Sequence, residues 1–225
     1  DTIRQHEVSL LIVSGDVFDT TTPSNRAQEL YYQFLCRASS CCRHIVIVGG
    51  NHDSPTFLEA PRELLRGLQV HVTAQAPKDP EDTVLVLKDD AGVPEAVVCA
   101  VPYLRDREIR TAEAGEGTED KQKKLIEGIR DYYQRACTHG ASLRDTHGDI
   151  PLIATGHLFA AGGASVEGDG VRELYIGPLA QVDTAVFPDS IDYLALGHLH
   201  APQQTGGRPH FRYSGAPLAN GFSEA

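Results

Sequence analysis

Six side chains in this sequence have the chemistry to hold a divalent metal or to move a proton, and each stands in a short polar string. Asp16 lies in Gly15-Asp16-Val17-Phe18-Asp19. Asn51 and His52 lie in Gly50-Asn51-His52-Asp53, His157 in Gly156-His157, and His198 and His200 in Gly197-His198-Leu199-His200. A carboxylate has two oxygens, so Asp16 can bridge two cations, although an Asp at a turn can equally serve as a cap. Asn51 offers a neutral carbonyl oxygen. His52 can stay off a metal and act on the substrate, with Asp53 holding its ring in one tautomer and raising its basicity. Asp19 fits either the site or an outer role, orienting a loop or a ligand. His157 says little alone and gains weight from its company. His198 and His200, two positions apart, can reach two neighbouring ions.

A mixed nitrogen and oxygen donor set suits Mn²⁺, Fe or Zn²⁺ rather than an all-oxygen Mg²⁺ or Ca²⁺ cage. Two such ions roughly 3.5–4 Å apart activate a water and clamp phosphate oxygens. A free histidine can then protonate the leaving oxygen. The chemistry expected is two-metal hydrolysis of a phosphate ester.

These residues need rigid strands to bring them together. Ser9–Ser14 and His44–Val48 are unbroken apolar runs ended by glycine, the pattern of strands buried on both faces of a parallel sheet. Helices are expected from Ser24, a good N-cap, to about Ser39, and over 57–66, before a short strand near Val70–Val72. This β-α-β-α-β order predicts parallel pairing with right-handed crossovers. Thr83–Lys88 and Ala96–Val101 read as strands around an Asp89-Asp90-Ala91-Gly92 turn, and 118–137 as an amphipathic helix. Ile150–Thr155, Ile191–Leu196 and Phe211–Tyr213 complete the strands, and the Gly/Ala/Ser-rich stretch 159–170 is a candidate rim. The polar strings thus fall at carboxyl ends of strands, where open α/β sheets build their sites.

The bulk composition fits one soluble globular domain. It has 225 residues, 41% hydrophobic and 23% charged, with no apolar run of membrane-spanning length. A net charge of −11 excludes a protein coated in positive charge for nonspecific nucleic-acid binding. Five cysteines without Cys-x-x-Cys spacing read as reduced thiols. The sequence has no methionine and opens on Asp1-Thr2-Ile3-Arg4-Gln5-His6, which reads as the tail of a helix, so a piece of a longer protein is expected.

Together with Val101-Pro102-Tyr103-Leu104-Arg105, Tyr175-Ile176-Gly177, Tyr213-Ser214-Gly215-Ala216-Pro217 and Phe222-Ser223-Glu224, the four strings resemble the calcineurin-like metallophosphoesterase superfamily. Within it they are similar to the nuclease subunits of bacterial double-strand-break repair that partner an ATPase. The resemblance spans nearly the whole chain. It implies an α/β fold: a four-layer α-β-β-α sandwich, mixed sheets flanked by helices, as one nuclease domain over 1–225. It implies two divalent ions, Mn²⁺ above all, with Asp16 bridging them, Asn51, His157 and His198 on one, and His200 on the other. It makes His52 the catalytic acid, paired with Asp53. The family also uses an Asp-x-His on a first strand, ahead of the region seen here. Asp145-Thr146-His147 has those letters but reads as a polar connection after a helix, a coincidence. The domain is therefore expected to lack its first strand, with one metal site two ligands short.

The resemblance further implies DNA as substrate, a homodimer formed by the helices at 24–39 and 57–66, and a cytoplasmic, nucleoid-associated location away from membranes. A cap and an ATPase-binding segment would lie beyond Ala225. Arg105, Arg107 and Arg110 either meet DNA phosphate or form a solvated strip interleaved with Asp106 and Glu108. Two rivals stay open. One is a phosphatase or small phosphodiesterase of the same superfamily. The phosphoprotein phosphatases carry Arg-Gly soon after the position of Asp19 and Glu at position 53, where this chain has Thr20-Thr21 and Asp53. The other is an inactive scaffold, which the four histidines argue against and the missing Asp-x-His keeps open.

Overall fold

A computed structural model describes residues 1–111, 113, 115–163 and 181–218. The first half contains α1 (Thr2–Gln5), β1 (Leu10–Ser14), α2 (Asn25–Ser39), β2 (His44–Val48), α3 (Pro55–Glu59), α4 (Arg62–Arg66) and β3 (Val70–Thr73). Its strands form one parallel sheet in the order β1-β2-β3, with Leu10 opposite His44 and Ile45 opposite Val70. Ser24 and Ser54 cap α2 and α3 by accepting the amides of Ala27 and Phe57. The helix expected over 57–66 is instead two short ones, α3 and α4, divided at Ala60-Pro61. Pro61 has no amide to donate and cannot continue the first helix.

The second half contains β4 (Val84–Lys88), β5 (Pro94–Cys99), α5 (Asp106–Ile109), α6 (Thr118–His147), β6 (Leu152–His157), β7 (Tyr193–Gly197), β8 (Gln203–Thr205) and β9 (Arg208–Tyr213). They form a mixed sheet in the order β4-β5-β6-β7-β9-β8. Strands β5, β6, β7 and β9 are parallel, and β4 and β8 close the two edges antiparallel. In the β4–β5 turn the Asp89 carboxylate accepts the amides of Ala91 and Val93, the Asx geometry the sequence suggests.

The side-chain alternation of the strands builds four layers. Ile45 and Ile47 of β2 pack outward with Leu35, Leu58 and Leu65 of the helices. Val46 and Val48 point the other way, against Leu87, Val98 and Ala100 of the second sheet. Val97 and Cys99 of β5 face Ile129, Tyr133 and Cys137 of α6 on the far side. The order is helices, sheet, sheet, helix, as the family resemblance implies. Central β2 is buried along its whole length, which its unbroken apolar run requires. β1 has a similar run and is half-buried, and among the described residues it pairs with β2 alone. Helix α6 runs on to His147, ten residues past its expected end, and so absorbs Asp145-Thr146-His147. Gly140 lies within it, where a Cβ would press on Leu152 and the Cys99 thiol. The five cysteines are free thiols. No helix among the described residues is long and apolar enough to cross a membrane.

Candidate metal centre

The carboxyl ends of β1, β2, β6 and β7 meet at one rim. Gly15-Asp16 leaves β1, Gly50-Asn51-His52-Asp53 follows β2, His157 ends β6, and His198 follows β7. Two glycines let the sheets come this close. A Cβ on Gly197 would sit on the carbonyl oxygen of Ser14, and one on Gly50 would overlap the Asp16 carboxylate and amide. The Ser14 hydroxyl donates to the carbonyl of Ala195 at 3.1 Å, which ties β1 to β7 across the layers. Asp16 and His198 both take left-handed backbone angles, with φ of 51° and 98°. For a residue with a Cβ such angles cost about 1–3 kcal/mol and persist where the surroundings over-determine them.

Ligating atoms of Asp16, His157 and His198 all lie within 4.8 Å of one another. His157 is the hub. Its Nδ1 is 2.8 Å from the Ser14 carbonyl oxygen, its Nε2 2.9 Å from Asn51 Oδ1, and its Nε2 3.2 Å from Asp16 Oδ2. A carbonyl oxygen only accepts, so Nδ1 carries the hydrogen, and in the tautomer with Nδ1 alone protonated Nε2 carries a lone pair. That lone pair faces two oxygens that are acceptors as well. In that tautomer three acceptors turn toward one point, an arrangement that a divalent cation satisfies and that a proton on Nε2, shared with the two oxygens, satisfies in its place. The residues present therefore fit a metal.

The electrostatics agree. Burial above all, and then His157, pushes His198 down to about 3, so it stands neutral with a lone pair to give. Burial pulls the Asp16 carboxyl upward, but the hydrogen bond and charge of His157, with the His52 amide, outweigh it and hold Asp16 below its usual range. The His52 amide donates to Asp16 Oδ1 at 3.0 Å.

Asp53 does not hold the His52 ring. Its carboxylate is 1% exposed and accepts three backbone amides: Gly50 at 2.8 Å, Phe18 at 3.0 Å and Val17 at 3.2 Å. It pins the first two strings together, and burial still leaves its pKa raised against those amides. The His52 ring turns instead to Asp19: Nδ1 donates to the Asp19 carbonyl at 2.8 Å and stands 3.7 Å from its carboxylate. The pairing of His52 with Asp53 is thus corrected to His52 with Asp19, because Asp53 spends both oxygens on the backbone.

Asp16, Asn51, His157 and His198 come together as expected by the resemblance, while His200 stays outside the three-residue group. His200 is close enough to help depress the His198 pKa. Asp145 and His147 sit in the last turn of α6, before β6 begins, at the opposite rim of the sheet. Arg110 is taken by Asp106 and Glu116, which removes it from the basic cluster. Residues 164–170 of the candidate rim and the strings at 175–177 and 222–224 lie outside the described residues.

Some supporting groups carry no signal of their own in the sequence. The Ser14 carbonyl is a backbone atom. Tyr213, 1% exposed, donates its hydroxyl to the Leu158 carbonyl at 2.7 Å and accepts the Ala160 amide at 2.8 Å, bracing the chain just after His157. The Tyr133 hydroxyl donates to the Thr155 carbonyl at 2.9 Å within β6. The Tyr103 ring stands edge-on to His157 with centroids 6.3 Å apart.

The family profile of the calcineurin-like phosphoesterases matches residues 1–202, a span that holds Asp16, Asn51, His52, His157, His198 and His200. The chain belongs to the calcineurin-like phosphoesterase family. As a calcineurin-like phosphoesterase it is 40% identical over 224 residues to the SbcD subunit of nuclease SbcCD from Escherichia coli (strain K12), covering 100% of this chain and 54% of that relative. It is 38% identical over 229 residues to the protein of the same name from Rhodobacter capsulatus, covering 97% of this chain and 54% of the relative. The Bacillus subtilis protein is 33% identical over 229 residues, covering 99% and 55%. This phosphoesterase chain spans about half the length of the curated relatives it matches.

Proposed function

We propose that this chain is the catalytic domain of a metal-dependent DNA nuclease subunit, acting with an SbcC-like ATPase in double-strand-break processing in the bacterial cytoplasm, at the nucleoid. The observation that carries the hydrolytic reading is the convergence of His157 Nε2, Asn51 Oδ1 and Asp16 Oδ2, a cluster of nitrogen and oxygen donors that a divalent cation fits. The nuclease reading rests on the three relatives, each named as part of a nuclease.

Asn51, His157 and His198 would hold one ion, Asp16 would reach both, and His200 would hold the second. Bound Mn²⁺ would supply Lewis acidity to the phosphate oxygens and acidify the attacking water. Every other task falls to the protein. The Ser14 carbonyl keeps His157 in the tautomer that presents Nε2. The Asp19 carbonyl orients His52, leaving its Nε2 for the substrate. As the phosphorus–oxygen bond breaks, His52 gives its Nε2 proton to the leaving oxygen.

A homodimer through the outer helices has support in exposed apolar groups. Leu30 and Phe34, one turn apart on α2, are 50% and 46% exposed, and Leu64 and Leu68 at α4 are 76% and 41% exposed.

The deciding experiment is a Mn²⁺-dependent cleavage assay on duplex and hairpin DNA, using the complete protein with its ATPase partner. Cleavage of DNA is expected. Hydrolysis of a phosphomonoester with DNA left intact would replace this reading with a phosphatase, and inertness toward both would leave a scaffold.

A further inference from the structure

We propose that Arg105 is a phosphate-binding residue of this site, gripping the nucleic-acid backbone beside the bond to be cut. The inference rests on the nuclease reading and adds a substrate contact to it. Strands β5, β6 and β7 are parallel, so the segment that leaves β5 emerges at the same rim as His157 and His198. The Tyr103 amide donates to the Gly49 carbonyl at 2.8 Å, which anchors that segment to the string carrying Asn51. The Tyr103 ring lies against His157, and the Arg105 guanidinium lies over the same ring, 5.5 Å from its centroid. One tyrosine ring therefore separates the guanidinium from the metal-facing imidazole.

Two nearby cations are neutralised, Arg110 by Asp106 and Glu116 and Lys124 of α6 by Glu113 and Glu116, while Arg107 is exposed and does not share the Tyr103 ring. Arg105 has no carboxylate partner among the described residues, and its Nη1 is enclosed without an acceptor. Adjacent Asp106 is held by Arg110, and Glu108 places one oxygen on the Arg105 amide at 3.1 Å and leaves the other buried without a partner. A guanidinium already laid on an aromatic face loses little freedom when it meets a phosphate, and its N–H groups other than the enclosed Nη1 can donate to phosphate oxygens. In a chain of net charge −11, an unquenched cation at this rim is placed for a polyanion.

The test is fluorescence anisotropy of a labelled duplex with the full-length protein, metal removed by EDTA, between 50 and 200 mM KCl. Arg105→Ala is expected to raise Kd about tenfold and to lower the slope of log affinity against log salt by about one. Arg105→Gln keeps the stem on Tyr103 and should lose the same slope, while Arg105→Lys should recover it. Thermal melts and Mn²⁺ content show whether each variant is folded. An unchanged Kd and slope in folded Arg105→Ala or Arg105→Gln would overturn the assignment, as would a lysine variant that fails to recover the slope. Wild-type protein that binds duplex but never cleaves it with Mn²⁺ would remove the nuclease reading and leave Arg105 standing. Wild-type protein that does not bind duplex removes both.

Discussion

The His52 ring donates Nδ1–H to the main-chain carbonyl of Asp19 at 2.8 Å, while the neighbouring Asp53 carboxylate faces backbone amides of two loops. The ring is thus held by an atom that no side-chain substitution removes. His52→Ala is expected to lower kcat for phosphodiester cleavage by roughly 10²–10⁴, with metal content unchanged by elemental analysis. Asp19→Ala keeps the tether and loses only a carboxylate at 3.7 Å, so its kcat should fall by less than about tenfold. Loss of metal in the His52 variant would make that residue a ligand instead.

The acceptor cluster around His157 predicts that a divalent ion stabilises the fold. Mn²⁺ at about a hundred times its Kd should add about 2.7 kcal/mol. For a chain of this size that raises Tm by about 5–10 °C in a thermal melt. His157→Ala, Asn51→Ala and His198→Ala should each abolish most of the rise, with Mn²⁺ affinity in titration calorimetry at least about tenfold weaker. A wild-type melt indifferent to Mn²⁺ and to EDTA would refute the metal centre.

Gly197 marks the closest approach of the two sheets. A methyl there meets the Ser14 carbonyl, a backbone atom that cannot swing aside. Gly197→Ala should destabilise the domain by about 3 kcal/mol or more in urea unfolding, as overpacking of a rigid contact does. Gly92, at the β4–β5 turn, has nothing within 4 Å of an added Cβ but has φ of 80°. Gly92→Ala should cost only about 1 kcal/mol, from backbone strain alone. Equal losses at the two positions would contradict the close approach.

Tyr213→Phe removes one hydroxyl and strands two buried groups, the Leu158 carbonyl and the Ala160 amide. The expected loss is about 1–3 kcal/mol in denaturant unfolding, with a fall in Mn²⁺ affinity because the chain after His157 loosens. A variant as stable as the parent would show that those groups find other partners.

Much of this protein is determined locally. Apolar runs ended by glycine mark β1, β2 and β7, because buried parallel strands need unbroken apolar length and their ends need tight turns. Asp16, Asn51, His157 and His198 were legible as candidates because ligand-type side chains directly after such strands must share a rim. Proximity along the chain then misleads at Asp53, since adjacent residues in a turn point in different directions. Whether a carboxylate meets a ring or an amide depends on the loop packed against it, here Val17 and Phe18.

What only the tertiary structure decided are relations between distant backbones. It placed the Ser14 carbonyl on His157 Nδ1 and the Asp19 carbonyl on His52 Nδ1. It carried Asp145 and His147 to the far rim on a helix longer than its expected span. Main-chain carbonyls are the same in every residue, so their placement leaves no mark in residue type. The sequence by itself determined which side chains could bind and catalyse; the packing of two sheets determined which atoms hold them there.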